Sequence, residues 1–252
     1  MEPWIISVLA VVLFLFFMML GVPVMFSLGG SAVLSGLLAF GTSMLPKVGW
    51  TPFHMLFNLA WTPLPLFVLM GSLIAETTMG EDMFKAAVRW LSRVPGGLVA
   101  SGIVGEAIMA AAMGTSAATI MVVGKVAVPE FERYGYKRSF GLGALLAGGV
   151  LGPLIPPSAV FIIYAVLTDT SLGHLFMAGI IPGILLTVML VITAILISWR
   201  RTGYGPPAGS FSWRERFASL KKIWAMIIVI LSVLGVIYFG VATPTESAGV
   251  GC

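Results

Sequence analysis

The chain has 252 residues, 59% of them hydrophobic and 10% charged, with a mean hydropathy of +1.06. Soluble domains carry about 25% charged residues, so this composition excludes a water-soluble globular fold. The net charge of +4 marks basic loops beside a bilayer rather than a nucleic-acid surface, and the single cysteine, Cys252, excludes an internal disulfide and a thiolate metal cluster.

In chain order, the first 46 residues carry no charge beyond Glu2, which leaves room for two membrane crossings. Met1-Glu2-Pro3 lacks the basic start of a signal peptide, so Trp4–Leu20 reads as a retained helix. It ends at Gly21-Val22-Pro23, and a second span follows to about Gly41. Residues 42–57, with Pro46, Lys47, Pro52 and His54, read as a loop, and a third span runs from about Phe57 to Ala75. Between Glu81 and Arg93 acids come first and bases last, with Phe84, Val88 and Leu91 at helical spacing. That pattern predicts an amphipathic helix lying at the interface.

Residues 94–129 and 139–168 are apolar stretches, each interrupted near its middle. A further span at about 176–199 leads to a basic loop containing Arg200, Arg201, Arg214, Arg216, Lys221 and Lys222. A last span closes near Gly240. Continuous apolar runs of this length exclude a membrane β-barrel and predict an all-α polytopic membrane protein. The basic loops around 85–93, 133–138 and 200–222 belong in the cytoplasm, which places the N-terminus outside. This parity requires 94–129 to enter and leave on one side, as a re-entrant hairpin or as two crossings. Each arm is long enough for about 27 Å of helix, so length does not choose.

The interruptions carry the chemistry. Backbone polar groups at membrane depth must find partners in the protein, so helix breaks persist where they line a cavity or bind a ligand. Gly114-Thr115-Ser116-Ala117-Ala118-Thr119 places three hydroxyls and a glycine inside an apolar run. A turn there would aim free N–H groups of the second arm at an anionic group, while carbonyls of the first arm and the hydroxyls could coordinate a cation; a small-residue packing seam is the other reading, and both stand on these residues alone. Gly152-Pro153-Leu154-Ile155-Pro156-Pro157-Ser158 cannot continue an α-helix, because each proline lacks an N–H and collides with the carbonyl four back. Carbonyls from Leu151 to Ile155 are thereby expected to lose their helical partners. One crossing is needed over 139–168, which favours a discontinuous helix over a loop between two spans. Two consecutive broken elements suit the binding site of a secondary transporter. The turn at Gly21-Val22-Pro23 also resembles Gly240-Val241-Ala242-Thr243-Pro244-Thr245-Glu246 in a helix of opposite expected direction. Similar units in opposite orientation predict an inverted repeat, with the chain stopping at Cys252 as the second unit begins, as a truncated chain would.

With Pro129, Gly135-Tyr136 and Thr243-Pro244-Thr245-Glu246, these segments occur in an order that resembles the large membrane subunit (DctM type) of tripartite ATP-independent periplasmic (TRAP) transporters. The resemblance covers essentially the whole chain. It implies an elevator-type, sodium-coupled importer of organic acids such as C4-dicarboxylates or sialic acid, in a bacterial inner membrane. It implies two partners, a small four-helix membrane subunit and a periplasmic substrate-binding protein, with Na+ as coupling ion and no resident cofactor or metal. By position, Gly114, Thr115, Ser116 and Thr119 at the tip and Gly152, Pro153, Pro156, Pro157 and Ser158 at the break would line the ion and substrate site. The family's tip more usually reads Ser-Gly-Ser-Ser; Met113-Gly114-Thr115-Ser116 stands here, and most of the family's second half is absent. The implied organisation is scaffold helices over 1–80, an interfacial helix over 81–93 and the transport-domain hairpin and broken helix over 94–170. A membrane helix and basic loop over 171–222 and the start of the second repeat over 223–252 complete it.

Glu106 and Lys125 are the ionisable residues inside 94–129, about ten residues from the tip on opposite arms. An antiparallel hairpin brings them to similar depth and predicts an ion pair; proton coupling or a substrate contact at Glu106 is the alternative. His54 and His174 are isolated, with no companion ligands for a metal. Other readings are a sodium–anion symporter working without a binding protein, an intramembrane serine hydrolase using Ser116, and a non-functional fragment.

Overall fold

The computed structural model describes residues 3–201 and 203–252. Its helices fall into two compact units that divide between Leu59 and Ala60.

The first unit begins with α1 (Pro3–Met19) packed on α2 (Val24–Phe40). Ser27, Ser31 and Ser35 are buried at a spacing of four, and the Phe17 ring lies 3.4 Å from where a Cβ on Gly30 would stand. A stripe of small residues lets the two helices approach closely. Each serine hydroxyl donates back to its own helix or the turn before it, Ser27 to the Val22 carbonyl at 3.0 Å and Ser35 to the Ser31 carbonyl at 2.6 Å. No hydroxyl of the stripe is therefore left unpaired against lipid. A 3-10 turn (Gly41–Met44) and α3 (Leu45–Leu56) follow. The expected loop over 42–57 is thus helical, and Val24–Leu56 runs as one apolar stretch of 33 residues. The prolines misled: Pro46 sits in the first turn of α3, where its missing N–H costs nothing, and Pro52 is accommodated inside the helix.

In the second unit a 3-10 turn leads into α4 (Pro63–Ala75), which turns through 68° into α5 (Met79–Leu91). Helix α5 is amphipathic as its pattern predicts. Met83, Phe84, Ala86 and Ala87 are buried, while Lys85 pairs with Glu81 on the outer face and holds that carboxyl below the usual range. Next come α6 (Gly97–Met113) and α7 (Ser116–Arg133), packed as a hairpin. Apart from Ser101 and Glu106, helix α6 is apolar on every side, and it is buried almost throughout, which fits its place at the centre of the unit. It touches α4, α5 and α7, and also the next helices, α8 (Arg138–Gly148) and α9 (Leu151–Leu154). The chain then bends by 41° into α10 (Ala159–Thr168), so the expected discontinuous helix is present.

A long helix, α11 (Leu172–Arg200), lies against α6, α9 and α10 and leaves Ile181, Leu185, Met189 and Ile192 exposed, as a lipid-facing side requires. The basic segment after it contains α12 (Trp213–Leu220) and is tied down at several points. Gly96 donates to the Gly205 carbonyl at 2.9 Å, Ala208 to the Ser92 carbonyl at 3.1 Å, and the Tyr136 hydroxyl to the Pro206 carbonyl at 2.7 Å. Trp90, Trp213 and Phe217 cluster where α12 meets α5, with the Arg216 guanidinium 5.0 Å from the Trp213 ring. The chain closes with α13 (Trp224–Tyr238) and α14 (Pro244–Gly251), whose Thr243 and Glu246 form a capping box. Helix α14 packs on α13 and α4.

Among the described residues, three helical stretches are long and apolar enough to cross a membrane, or five if each bent pair is one span. The molecule is an all-helical polytopic membrane protein. The turns after α1 and α13 also share one hydrogen-bond pattern. Gly21 and Val22 donate to the carbonyls of Met18 and Phe17, and Gly240 and Val241 to those of Ile237 and Val236. Each is the reciprocal pair of bonds that closes a helix on a left-handed residue.

Candidate functional site: the hairpin tip and the broken helix

The tip between α6 and α7 consists of Gly114 and Thr115. Gly114 takes a left-handed conformation (φ +62°), which ends α6, and Thr115 is extended. The two interrupted segments meet here. Ala159, the first residue of α10, donates its N–H to the Gly114 carbonyl at 3.3 Å. A side chain on Gly114 would collide with the Pro157 carbonyl. From the other side, a Cβ on Gly152 would stand 2.6 Å from the Thr115 carbonyl carbon and 2.7 Å from the Ser116 nitrogen. Only hydrogen at both positions permits this approach, so each glycine is explained by a specific neighbour.

Around this contact the polar groups sort into engaged and free. The Thr119 hydroxyl is buried and donates within α7 to the carbonyls of Ser116 at 2.9 Å and Thr115 at 3.1 Å. Ser158 is buried and donates to the Pro153 carbonyl at 2.6 Å. The Leu151 carbonyl keeps a partner, the Ile155 N–H at 2.8 Å. The expectation of freed carbonyls across Leu151–Ile155 is therefore corrected at two positions: a short turn recovers one, and a serine side chain satisfies the other. Pro156 and Pro157 are buried behind the tip, and Pro153 is half-buried. Thr115 and Ser116 are half-buried, and Ser116 heads α7, where the first backbone N–H groups have no helical partner.

Thr115 also lines a cavity of about 360 Å³ between the hairpin and α4, together with Gly71, Ser72, Glu76, Met113 and Ala118. Gly71 makes this approach possible, since a Cβ there would lie 3.1 Å from the Met113 Cα. Neither Ser72 nor Glu76 stands out in the sequence as part of a site. Gly71-Ser72 has the small-polar character of the tip, which was the available signal.

The ion pair expected between Glu106 and Lys125 does not form. Glu106 is fully enclosed (0% exposed), neither carboxyl oxygen has a hydrogen-bond partner, and it presses on Gly148 at the end of α8. Lys125 is exposed and lines a separate cavity of about 580 Å³ with Glu76, Thr78 and Glu81. The cause is helical phase. Val123 faces α6 through Gly105, and two residues further on the side chain has turned by about 200°, away from that helix. The two histidines do not give Ser116 a base either: His174 is exposed in the first turn of α11, and His54 rests on the Trp50 ring within α3.

Residues 11–252 match the family described as the tripartite ATP-independent periplasmic transporter, DctM component. The C4-dicarboxylate TRAP transporter large permease protein DctM of Pseudomonas aeruginosa is 36% identical over 188 residues, 74% of this chain and 43% of that protein. The protein of the same description from Vibrio cholerae is 32% identical over 235 residues, 92% of this chain and 51% of its own length. The sialic acid TRAP transporter large permease protein SiaM of Vibrio cholerae is 31% identical over 193 residues, 77% of this chain and 45% of the relative. The chain thus spans about half the length of the curated relatives it matches. On the match across residues 11–252 and this identity to large permeases, the chain belongs to the DctM family of TRAP transporter membrane components.

Proposed function

We propose that this chain forms the ion- and substrate-handling part of a sodium-coupled TRAP permease that imports an organic acid delivered by a periplasmic binding protein. The observation that carries the reading is the interlock of the Gly114–Ser116 tip with the Gly152–Ser158 break. Two interrupted helices meeting through glycines supply half-satisfied backbone and hydroxyls, as a sodium site needs. Thr115 and Ser116 supply side-chain oxygens to the ion, while Thr119 and Ser158 hold the backbone around it. The substrate's carboxylate would lie beside the first N–H groups of α7. The names of related permeases mention C4-dicarboxylate, sialic acid, isethionate and ectoine; a carboxylate or similar anion is the class we assign. In this reading a small membrane subunit completes the permease in the bacterial inner membrane. The segments at 85–93, 133–138 and 200–222 face the cytoplasm and the N-terminus faces outward. The matching turns after α1 and α13 support an inverted repeat.

The test is uptake into vesicles reconstituted with both partners, with and without a sodium gradient. Ser116→Ala is expected to lower sodium-dependent uptake by about tenfold, which corresponds to about 1.4 kcal/mol of lost ion binding, while leaving expression unchanged. Uptake that is independent of sodium, or indifferent to the loss of the Ser116 hydroxyl, would refute the assignment.

A further inference from the structure

Glu106 is an anomaly that the tip site does not use. It stands in the middle of the hairpin's buried arm, with no exposed surface and no partner for either oxygen. Its surroundings are apolar and tight. One turn before it, Gly102 faces Leu145 and Phe131, and the carboxyl itself fills the space that a Gly148 side chain would occupy. Buried polar groups in folded proteins are nearly always paired, and an unpaired buried charge is far costlier than an unpaired neutral group.

The charges on neighbouring helices lie elsewhere. On α5, Glu81 and Lys85 pair with each other on the outer face, leaving Asp82 and Arg89 half-buried along the same helix. On α7, Lys125 faces the cavity beside Glu76, Glu130 pairs with Arg133, and Glu132 with Arg138 at the start of α8. Helix α11 carries His174 and Arg200 at its two ends, and α4, α9 and α13 carry no charged residue. None of these groups donates to Glu106. A sodium ion would need several further oxygens arranged around the carboxyl, and no hydrogen-bonding group is engaged with Glu106 to hold such a set in place. A proton needs only the carboxyl.

From this enclosure we infer that Glu106 is a proton-binding site, occupied while the hairpin is seated on α8. Its place makes the proton relevant to the tip. Gly148, against which the carboxyl rests, lies four residues before Gly152, against which the tip rests, a separation of about 6 Å along a helix. Ionising Glu106 requires water to reach it, so the α6–α8 contact must loosen and take the tip–break contact with it. Proton binding at Glu106 and closure at the tip therefore favour one another, and the linkage is reciprocal. The consequence for transport rests on the function proposed above, whereas the site itself does not.

Infrared spectroscopy of the protein in lipid vesicles tests the site without any transport measurement. At neutral pH in sodium-free buffer, the wild type is expected to show the carbonyl stretch of a protonated, weakly hydrogen-bonded carboxylic acid, and Glu106→Gln to lack it. If the glutamine variant fails to accumulate, Glu106→Asp serves instead and is expected to shift that band. A wild-type spectrum in which the Glu106-dependent signal is only that of an ionised carboxylate overturns the inference. So does an acid band that disappears when sodium is added at constant pH, which would assign the site to sodium. In uptake assays the wild-type rate is expected to vary at least about fivefold across two pH units and Glu106→Gln less than about twofold. Equal pH profiles would remove the link to closure. Loss of uptake with the acid band intact would count against the transport reading alone.

Discussion

Gly114 and Gly152 show how much a single hydrogen atom can decide in this molecule. Each faces backbone of the opposing segment rather than a flexible side chain, so neither neighbour can swing aside. Gly152→Ala is expected to separate the tip from the break and reduce uptake by more than about tenfold, with secondary structure by circular dichroism unchanged. Gly114→Ala adds left-handed backbone strain of about 1–2 kcal/mol to its collision, so thermal unfolding in detergent should show a lowered midpoint as well. Tyr136 is the comparable residue on the loop side. Its hydroxyl donates to Pro206 and accepts from the Leu98 N–H at 3.3 Å, and burial pushes the phenol up. Tyr136→Phe leaves both groups unpaired at a cost of about 1–3 kcal/mol, and hydrogen exchange should accelerate at residues 203–211. That Gly114, Thr115, Gly152 and Ser158 stand at helix interruptions was legible from the apolar runs around them. Their partners were not, because a close approach is a property of two segments and the sequence displays one at a time.

Among the elements, α12 is the clearest case of local chemistry making a helix inside a segment that reads as a loop. Ser212 and Glu215 form a capping box, and the bonds from the Ser212 N–H and hydroxyl hold the Glu215 carboxyl below its usual range. A depressed carboxyl contributes stability that is present above the unfolded value, about 4.3, and is lost as pH falls through the folded one. Acidification should therefore fray the start of α12 and change the fluorescence of Trp213, and Glu215→Gln should show the frayed signal already at neutral pH. The capping pattern Ser-x-x-Glu stands openly at 212–215, so this helix was readable in principle. Basic residues around it drew the reading toward a loop. The amphipathic α5 was legible because its periodicity is strong and its charges follow the helix dipole. Helix α3 was not, because a proline's effect depends on its position in the helix, and that position is set by where the helix starts.

For the whole molecule, packing groups α4 with the hairpin and α14 rather than with the first two helices. The loops after α7 and α11 are joined directly, since Lys137 donates its N–H to the Tyr204 carbonyl at 3.2 Å and its ammonium to the Tyr204 hydroxyl at 2.8 Å. Cysteines introduced at Gly135 and Gly209, with Cys252 replaced, should therefore react with an impermeant reagent from the same side of the membrane. Labelling from opposite sides would break the proposed topology. Length, hydrophobicity and the position of each interruption were determined by the sequence itself, because a bilayer penalises every unpaired backbone group and so marks each break as an exception. Tertiary structure alone decided that the two breaks interlock. It also decided that Lys125 turns away from Glu106, and that Glu106 is sealed against Gly148 without a partner. Those outcomes depend on helical phase and on which surfaces meet, and both are set by the packing of α6 against its neighbours.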